Sequence, residues 1–277
     1  MLQNRVFSFI AIFIVYVLAS FAGFFIYQQL HFDFWLSLLI SDIAATVITF
    51  IFSLIFKNAS VYDPYWSVQP IVIIVLYAIF CGINTLGLLL VIAICFWGIR
   101  LTVNWAYTFK NLTCQDWRYT QLKEQTKFFY PIVNFIGIHM IPTLIVYLCV
   151  LPAVNAIVLK AEFKPVCIAL IAISFLAVIL QGTADYQMHK FRKNCTGGFI
   201  RVGVWKKSRH PNYLGEILMW WGIGLTCFAA MPDKWYLLAG AVSNTLLFLC
   251  ISIPLAENHQ KRKPGFEEYK KQTRVLI

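Results

Sequence analysis

Long apolar runs, separated by short polar stretches, dominate this chain and limit what it can become. Eight can be marked, at 6–28, 34–56, 67–81, 85–103, 131–150, 165–182, 215–231 and 235–254. Crossing a bilayer takes roughly 20 apolar residues, and in hydrocarbon only helices and closed barrels satisfy their own backbone. These runs predict an all-α, polytopic membrane bundle of seven to eight transmembrane helices, the third being short enough to leave the count open. Charged residues make up 13% of the 277, against roughly 25% in soluble domains. Arg5 precedes an apolar run from Val6 to Tyr27. That run is too long for a signal-peptide core and has no small-residue cleavage site, so it reads as the first membrane helix.

The net charge of +11 needs a source. Its basic residues gather in three stretches, 104–130, 183–214 and the tail, while the intervening loops are short or weakly charged. With eight crossings all three stretches fall on one side, as the positive-inside rule demands, with both termini cytoplasmic. Membrane lipids are therefore expected partners and nucleic acid is not. The eight cysteines, Cys195 among them, form no CxxC pair, and no HExxH occurs. Neither a disulfide framework nor a metal site is expected. No linker divides the chain, which reads as one integral membrane domain over 1–277, with a helical hairpin at 1–56 and a helical core at 57–277.

The densest polar motif is Ser208-Arg209-His210-Pro211-Asn212-Tyr213-Leu214-Gly215-Glu216, at the mouth of the seventh run. Polar side chains entering a membrane segment usually mark a site. Pro211 suits the first turn of a helix, whose free N–H groups favour an anion such as a phosphate. Interfacial anchoring by Arg209 and Tyr213 is the plainer reading, but it leaves Asn212 and Glu216 without a role. A second cluster, Asn58 to Gln69, carries Tyr62, Asp63 and Tyr65. Acid plus phenol suits proton donation, and a loop with an aromatic belt explains the same residues. Asp42 stands alone inside the second run. Arg100 and Asn104 end the fourth, where snorkelling would account for them. Beyond the sixth run, Asp185, His189 and Arg192 share one helix face, either as a site or as a solvated surface. The tail adds Glu257-Asn258-His259 and Phe266-Glu267-Glu268-Tyr269. No GxGxxG occurs, and Gly197-Gly198 is too weak a signal to cradle phosphate.

The pattern S-R-H-P-N-Y-L-G-E, a Trp-rich helix, then E-N-H and F-E-E-Y resembles the steroid 5α-reductase C-terminal domain superfamily, and more closely its DUF1295 branch. Y-D-P-Y-W-S, W-G-I-R-L-T-V-N-W and Q-G-T-A-D-Y-Q resemble that branch too, so the likeness runs over roughly 55–277. It implies a membrane reductase that uses NADPH to reduce a polarised C=C bond of a hydrophobic, sterol- or lipid-like substrate, with the 57–277 core as the reductase-like part. Carried over by motif, Asp185, Arg192, Asn212, Tyr213 and Glu216 would hold the cofactor. Arg209 and His210 lie in the same segment, and His259 and Tyr269 match more loosely spaced tail positions. Steroid reductases polarise the enone with an acidic residue beside Gln and a separate Tyr. This chain shows no such adjacent pair, and Asp63 with Tyr62 or Tyr65 is the expected substitute. The likeness implies the endoplasmic reticulum for a eukaryotic chain and the plasma membrane for a bacterial one. Isoprenylcysteine carboxyl methyltransferases, which bind S-adenosylmethionine, share R-H-P-x-Y-x-G and E-x-x-Y. That activity, or a non-enzymatic lipid-binding role, is the alternative.

Overall fold

The computed structural model describes residues 2–194 and 198–276, which leaves Cys195 and Gly197 outside the described residues. It is helical throughout, and no strand occurs among the described residues. Eight helical stretches are long and apolar enough to cross a membrane, which makes this a multi-pass membrane protein. Large apolar side chains point outward along them, among them Phe13 at 69% exposed and Phe21 at 70%, as expected where the solvent is hydrocarbon rather than water.

The first helices follow the apolar runs closely. They are α1 (Arg5–Gln29), α2 (Phe34–Ile55), α3 (Tyr65–Cys81) and α4 (Thr85–Thr108). A short amphipathic helix, α5 (Trp117–Thr126), lies in the polar segment 104–130. The fifth crossing runs through α6 (Tyr130–Ile132), a π-helical stretch Val133–Met140 and α7 (Ile141–Val158). The sixth is α8 (Val166–Asn194), whose polar end continues the apolar part as one helix. The seventh is α9 (Pro211–Ala230), beginning at its proline rather than at the later apolar boundary. The eighth contains α10 (Ala239–Leu247), a π stretch Phe248–Ser252 and α11 (Ile253–Gln260), and the tail ends in α12 (Phe266–Gln272).

Both π stretches stop just before a proline, Pro142 or Pro254. A proline ring crowds the carbonyl four residues back and offers no N–H. The turn widens, and the preceding amide reaches five residues instead: Ile141 N–H bonds Ile136 O and Ile253 N–H bonds Phe248 O. Such π-bulges are frequent at functional sites.

The chain forms two compact units. One comprises the residues up to Leu76 with Leu101–Tyr147, and the other comprises Tyr77–Arg100 with Leu148 onward. In the first, α1 packs along α2. A clasp then fixes the start of α3. Asn58 Nδ2 donates to Leu112 O (2.6 Å) and Cys114 O (3.2 Å), and Asp116 N–H donates to Ser60 Oγ (2.9 Å).

In the second unit the most extensive contact is between α8 and α9. Gly215 and Gly222 permit it. A Cβ at Gly215 would lie 2.7 Å from Ala177 O, and one at Gly222 2.8 Å from Ser174 N. Small residues of this kind let membrane helices approach backbone to backbone. Gly222→Val is expected to lower the unfolding midpoint in detergent, at a cost of about 1–3 kcal/mol for overpacking. A variant with the wild-type midpoint would mean the helices can part freely.

Candidate functional site

Two polar constellations lie inside the apolar helices. In the second unit, α4, α8 and α9 each turn a pair of polar residues inward, Trp97/Arg100, Gln181/Asp185 and Glu216/Trp220, at helical spacings that put each pair on one face. Glu216 is 4% exposed. It accepts hydrogen bonds from Trp97 Nε1 (2.9 Å), Gln181 Nε2 (3.1 Å) and Trp220 Nε1 (3.0 Å). Gln181 Oε1 in turn accepts from Arg100 Nη2 (2.5 Å), and Arg100 Nη1 pairs with Asp185 Oδ2 (2.6 Å). Arg100 therefore bonds inward rather than snorkelling outward. The chain Glu216–Gln181–Arg100–Asp185 ties three helices together. A carboxylate in apolar surroundings is tolerated only with donors of this kind.

The mouth of α9 is built differently. Arg209, 7% exposed, donates from Nε to Glu257 Oε1 (2.7 Å) and from Nη1 to Lys270 O (3.0 Å) and Thr273 O. Lys270 Nζ reaches Glu257 Oε2 at 3.0 Å. Tyr269 OH donates to Trp205 O (2.5 Å), and burial raises that phenol above its ordinary range. Arg209 and Tyr269 thus fasten the tail to the loop before α9. His210 stacks on Tyr213 with centroids 5.2 Å apart. Its Nε2 lies 3.4 Å from Glu257 Oε1, within charge range but outside hydrogen-bond alignment. Burial outweighs the pull of Glu257 and holds this imidazole below its usual range.

Four features of this mouth are unsatisfied. No side chain caps the helix at His210. Asn212 Oδ1, His210 Nε2 and Asn244 Nδ2 are buried without a hydrogen-bond partner among the described residues. Asn244, on α10, is 1% exposed. Its neighbour one turn on, Phe248, packs on Tyr213 at 4.9 Å. Arg192 is exposed at the polar end of α8, and His259 is half-buried near the end of α11.

In the first unit the expected acid and phenols have separate partners. Asp63 accepts from Tyr119 OH (2.6 Å), within the clasp. Tyr62 OH bonds Thr143 Oγ1 (2.7 Å), which bonds Thr46 Oγ1 (3.0 Å). Tyr65 OH instead donates to Asp42 Oδ1 (3.4 Å), and Gln69 Nε2 donates to Asp42 Oδ2 (2.6 Å). The carboxyl beside Tyr65 is therefore Asp42, one helix earlier in the chain. Asp42 is 4% exposed and Gln69 7%. The position of Asp42 inside an apolar run was its signal in the sequence. Gln69 closed the polar cluster that begins at Asn58, and Asn244 carried no signal that spacing could reveal.

Residues 49–273 match the DUF1295 family, described as a protein of unknown function. An uncharacterised protein of Schizosaccharomyces pombe (strain 972) is 24% identical over 196 residues, 59% of this chain and 56% of that protein. The match spans little more than half the length of that relative. No solved structure matches the chain significantly. The matched stretch covers the second unit's constellation and most of the membrane helices, while Asp42 and Thr46 of the first unit precede it, and the chain belongs to the DUF1295 family.

Proposed function

We propose that this protein is a membrane-embedded NADPH-dependent reductase acting on a polarised C=C bond of a hydrophobic substrate. The observation that carries the reading is the Asp42 carboxyl, held by a phenol and an amide deep in a membrane-spanning helix. Carboxyls placed this way are functional by default. An acid beside a Gln and a Tyr is also the constellation that steroid reductases, which the sequence resembles, use to polarise an enone. Here it is assembled by folding rather than by adjacent residues.

Unsatisfied polar groups at the mouth of α9 support placing a dinucleotide in the second unit. An uncapped helix N-terminus favours a phosphate, and Asn212, His210 and Asn244 keep buried polar atoms that a polar ligand would satisfy. Asn212, Tyr213, His210 and Asn244 would hold it, with the exposed Arg192 available to an outer phosphate. Arg209, Glu216 and Tyr269 act through these residues, because their own polar atoms are engaged within the protein. The cofactor, when bound, supplies a hydride to the β-carbon. Tyr65 would turn its one O–H from Asp42 Oδ1 to the substrate carbonyl and give up that proton to complete the reduction.

The test is thermal unfolding of detergent-purified protein with NADPH, NADH or S-adenosylmethionine. A ligand at a hundred times its dissociation constant adds about 2.7 kcal/mol. NADPH is expected to raise the midpoint and S-adenosylmethionine to leave it unchanged. The reverse result would transfer the protein to the methyltransferase alternative.

A further inference from the structure

We propose that the buried polar core of the first unit binds the hydroxyl group of a hydrophobic alcohol, with His139 Nε2 and Asn134 Oδ1 as the acceptors. Both residues belong to the π stretch Val133–Met140, whose five-residue bonding brings them onto one face. His139 is 0% exposed and Asn134 3%. His139 Nδ1 lies 2.9 Å from Asn134 O. A carbonyl can only accept, so Nδ1 carries the proton, and in the uncharged ring Nε2 is left as an acceptor.

That acceptor has no partner among the described residues, and neither does Asn134 Oδ1 or, on α3, Gln69 Oε1. All three orphaned atoms of this core are acceptors, so the missing group is a donor. Buried polar atoms of native proteins are almost always paired, by protein, ligand or water. The surroundings favour a donor that carries an apolar body. The His139 ring packs on Tyr62 (4.7 Å) and Phe50 (5.3 Å). Tyr62 packs on Tyr65 (5.4 Å), and Tyr65 on Tyr16 (5.5 Å). Tyr16 lines an apolar groove of about 400 Å³, together with Phe9, Pro64, Val68 and Trp105. The packed rings of Tyr16, Tyr65 and Tyr62 separate this groove from the acceptors, so a ligand entering there reaches His139 by displacing them. A hydroxylated lipid matches it: one O–H shared between His139 Nε2 and Asn134 Oδ1, and hydrocarbon for the ring faces. An anion, which brings acceptors and no donor, does not match it.

This site stands or falls independently of the reductase reading, since its test needs no nucleotide. Tritiated hexadecan-1-ol and cholesterol are bound to the detergent-purified, monodisperse full chain, each in competition with its own methyl ether, which keeps the body and loses the donor. The wild type is expected to prefer at least one alcohol over its ether by tenfold or more, equivalent to about 1.4 kcal/mol. In His139→Phe and in Asn134→Leu the preference should fall below about threefold, on the tenfold scale just given. His139→Gln keeps an acceptor and should retain part of it. The two substitutions lie at different positions, so a variant that fails to fold leaves the other readable. Equal binding of alcohol and ether by the wild type would mean that only water meets these atoms, and would overturn the proposal. So would a preference that survives in either folded variant lacking an acceptor.

Discussion

Asp42→Asn is expected to lower the rate of substrate reduction by about 10²–10⁴-fold, the usual contribution of a positioned acid, with NADPH affinity unchanged. The substitution keeps the size of the side chain and one acceptor for Tyr65 or Gln69, so folding should survive. Asp63→Asn provides the contrast. Its carboxyl accepts from Tyr119 in the clasp around Asn58 and Leu112, so its loss should loosen the loop leading to α5 and change turnover by less than about tenfold. Turnover assayed beside a nucleotide titration separates the two. A fully active Asp42→Asn with a slow Asp63→Asn would return the acid role to Asp63.

The second large effect is on stability. Glu216→Leu strands three buried donors, on Trp97, Gln181 and Trp220. Stranding a buried polar group costs about 1–3 kcal/mol, and removing one partner from a buried charged network about 3–5 kcal/mol. A loss of about 3–5 kcal/mol is expected, read as a lowered unfolding midpoint in detergent. Trp97→Phe removes one of the donors and should cost about 1 kcal/mol through that bond. Nucleotide binding by Glu216 variants has to be scaled to the folded fraction, because this residue organises α4, α8 and α9 before any ligand is considered. If Glu216→Leu unfolds at the wild-type midpoint, the network is not what joins these helices.

The sequence revealed the helices and concealed the pairings. Apolar length alone predicts α1, α2 and α4 to within a few residues, because the bilayer allows one backbone solution and fixes its span. Pro211 announced the start of α9 through its missing N–H. The exchange of Asp63 for Asp42 beside Tyr65 could not be read in this way. Asp63 is a near neighbour of Tyr65 in sequence, and Asp42 lies a whole helix away. Helix packing joined the distant pair, and the clasp turned the near acid toward Tyr119. Arg100 misled for a similar reason. From its place near a helix end it looks free to snorkel, and only the approach of α8 supplies Asp185 and Gln181.

What the chain encodes locally, then, is a multi-pass helical membrane protein of a recognisable family, since hydrophobic length and helix-start chemistry act over a few turns. Which carboxyl meets which phenol, and which buried amides and imidazoles are left without partners, was decided by side chains from separate helices coming within 3 Å or so of one another, the hydrogen-bond range. No rule acting along the chain specifies that distance.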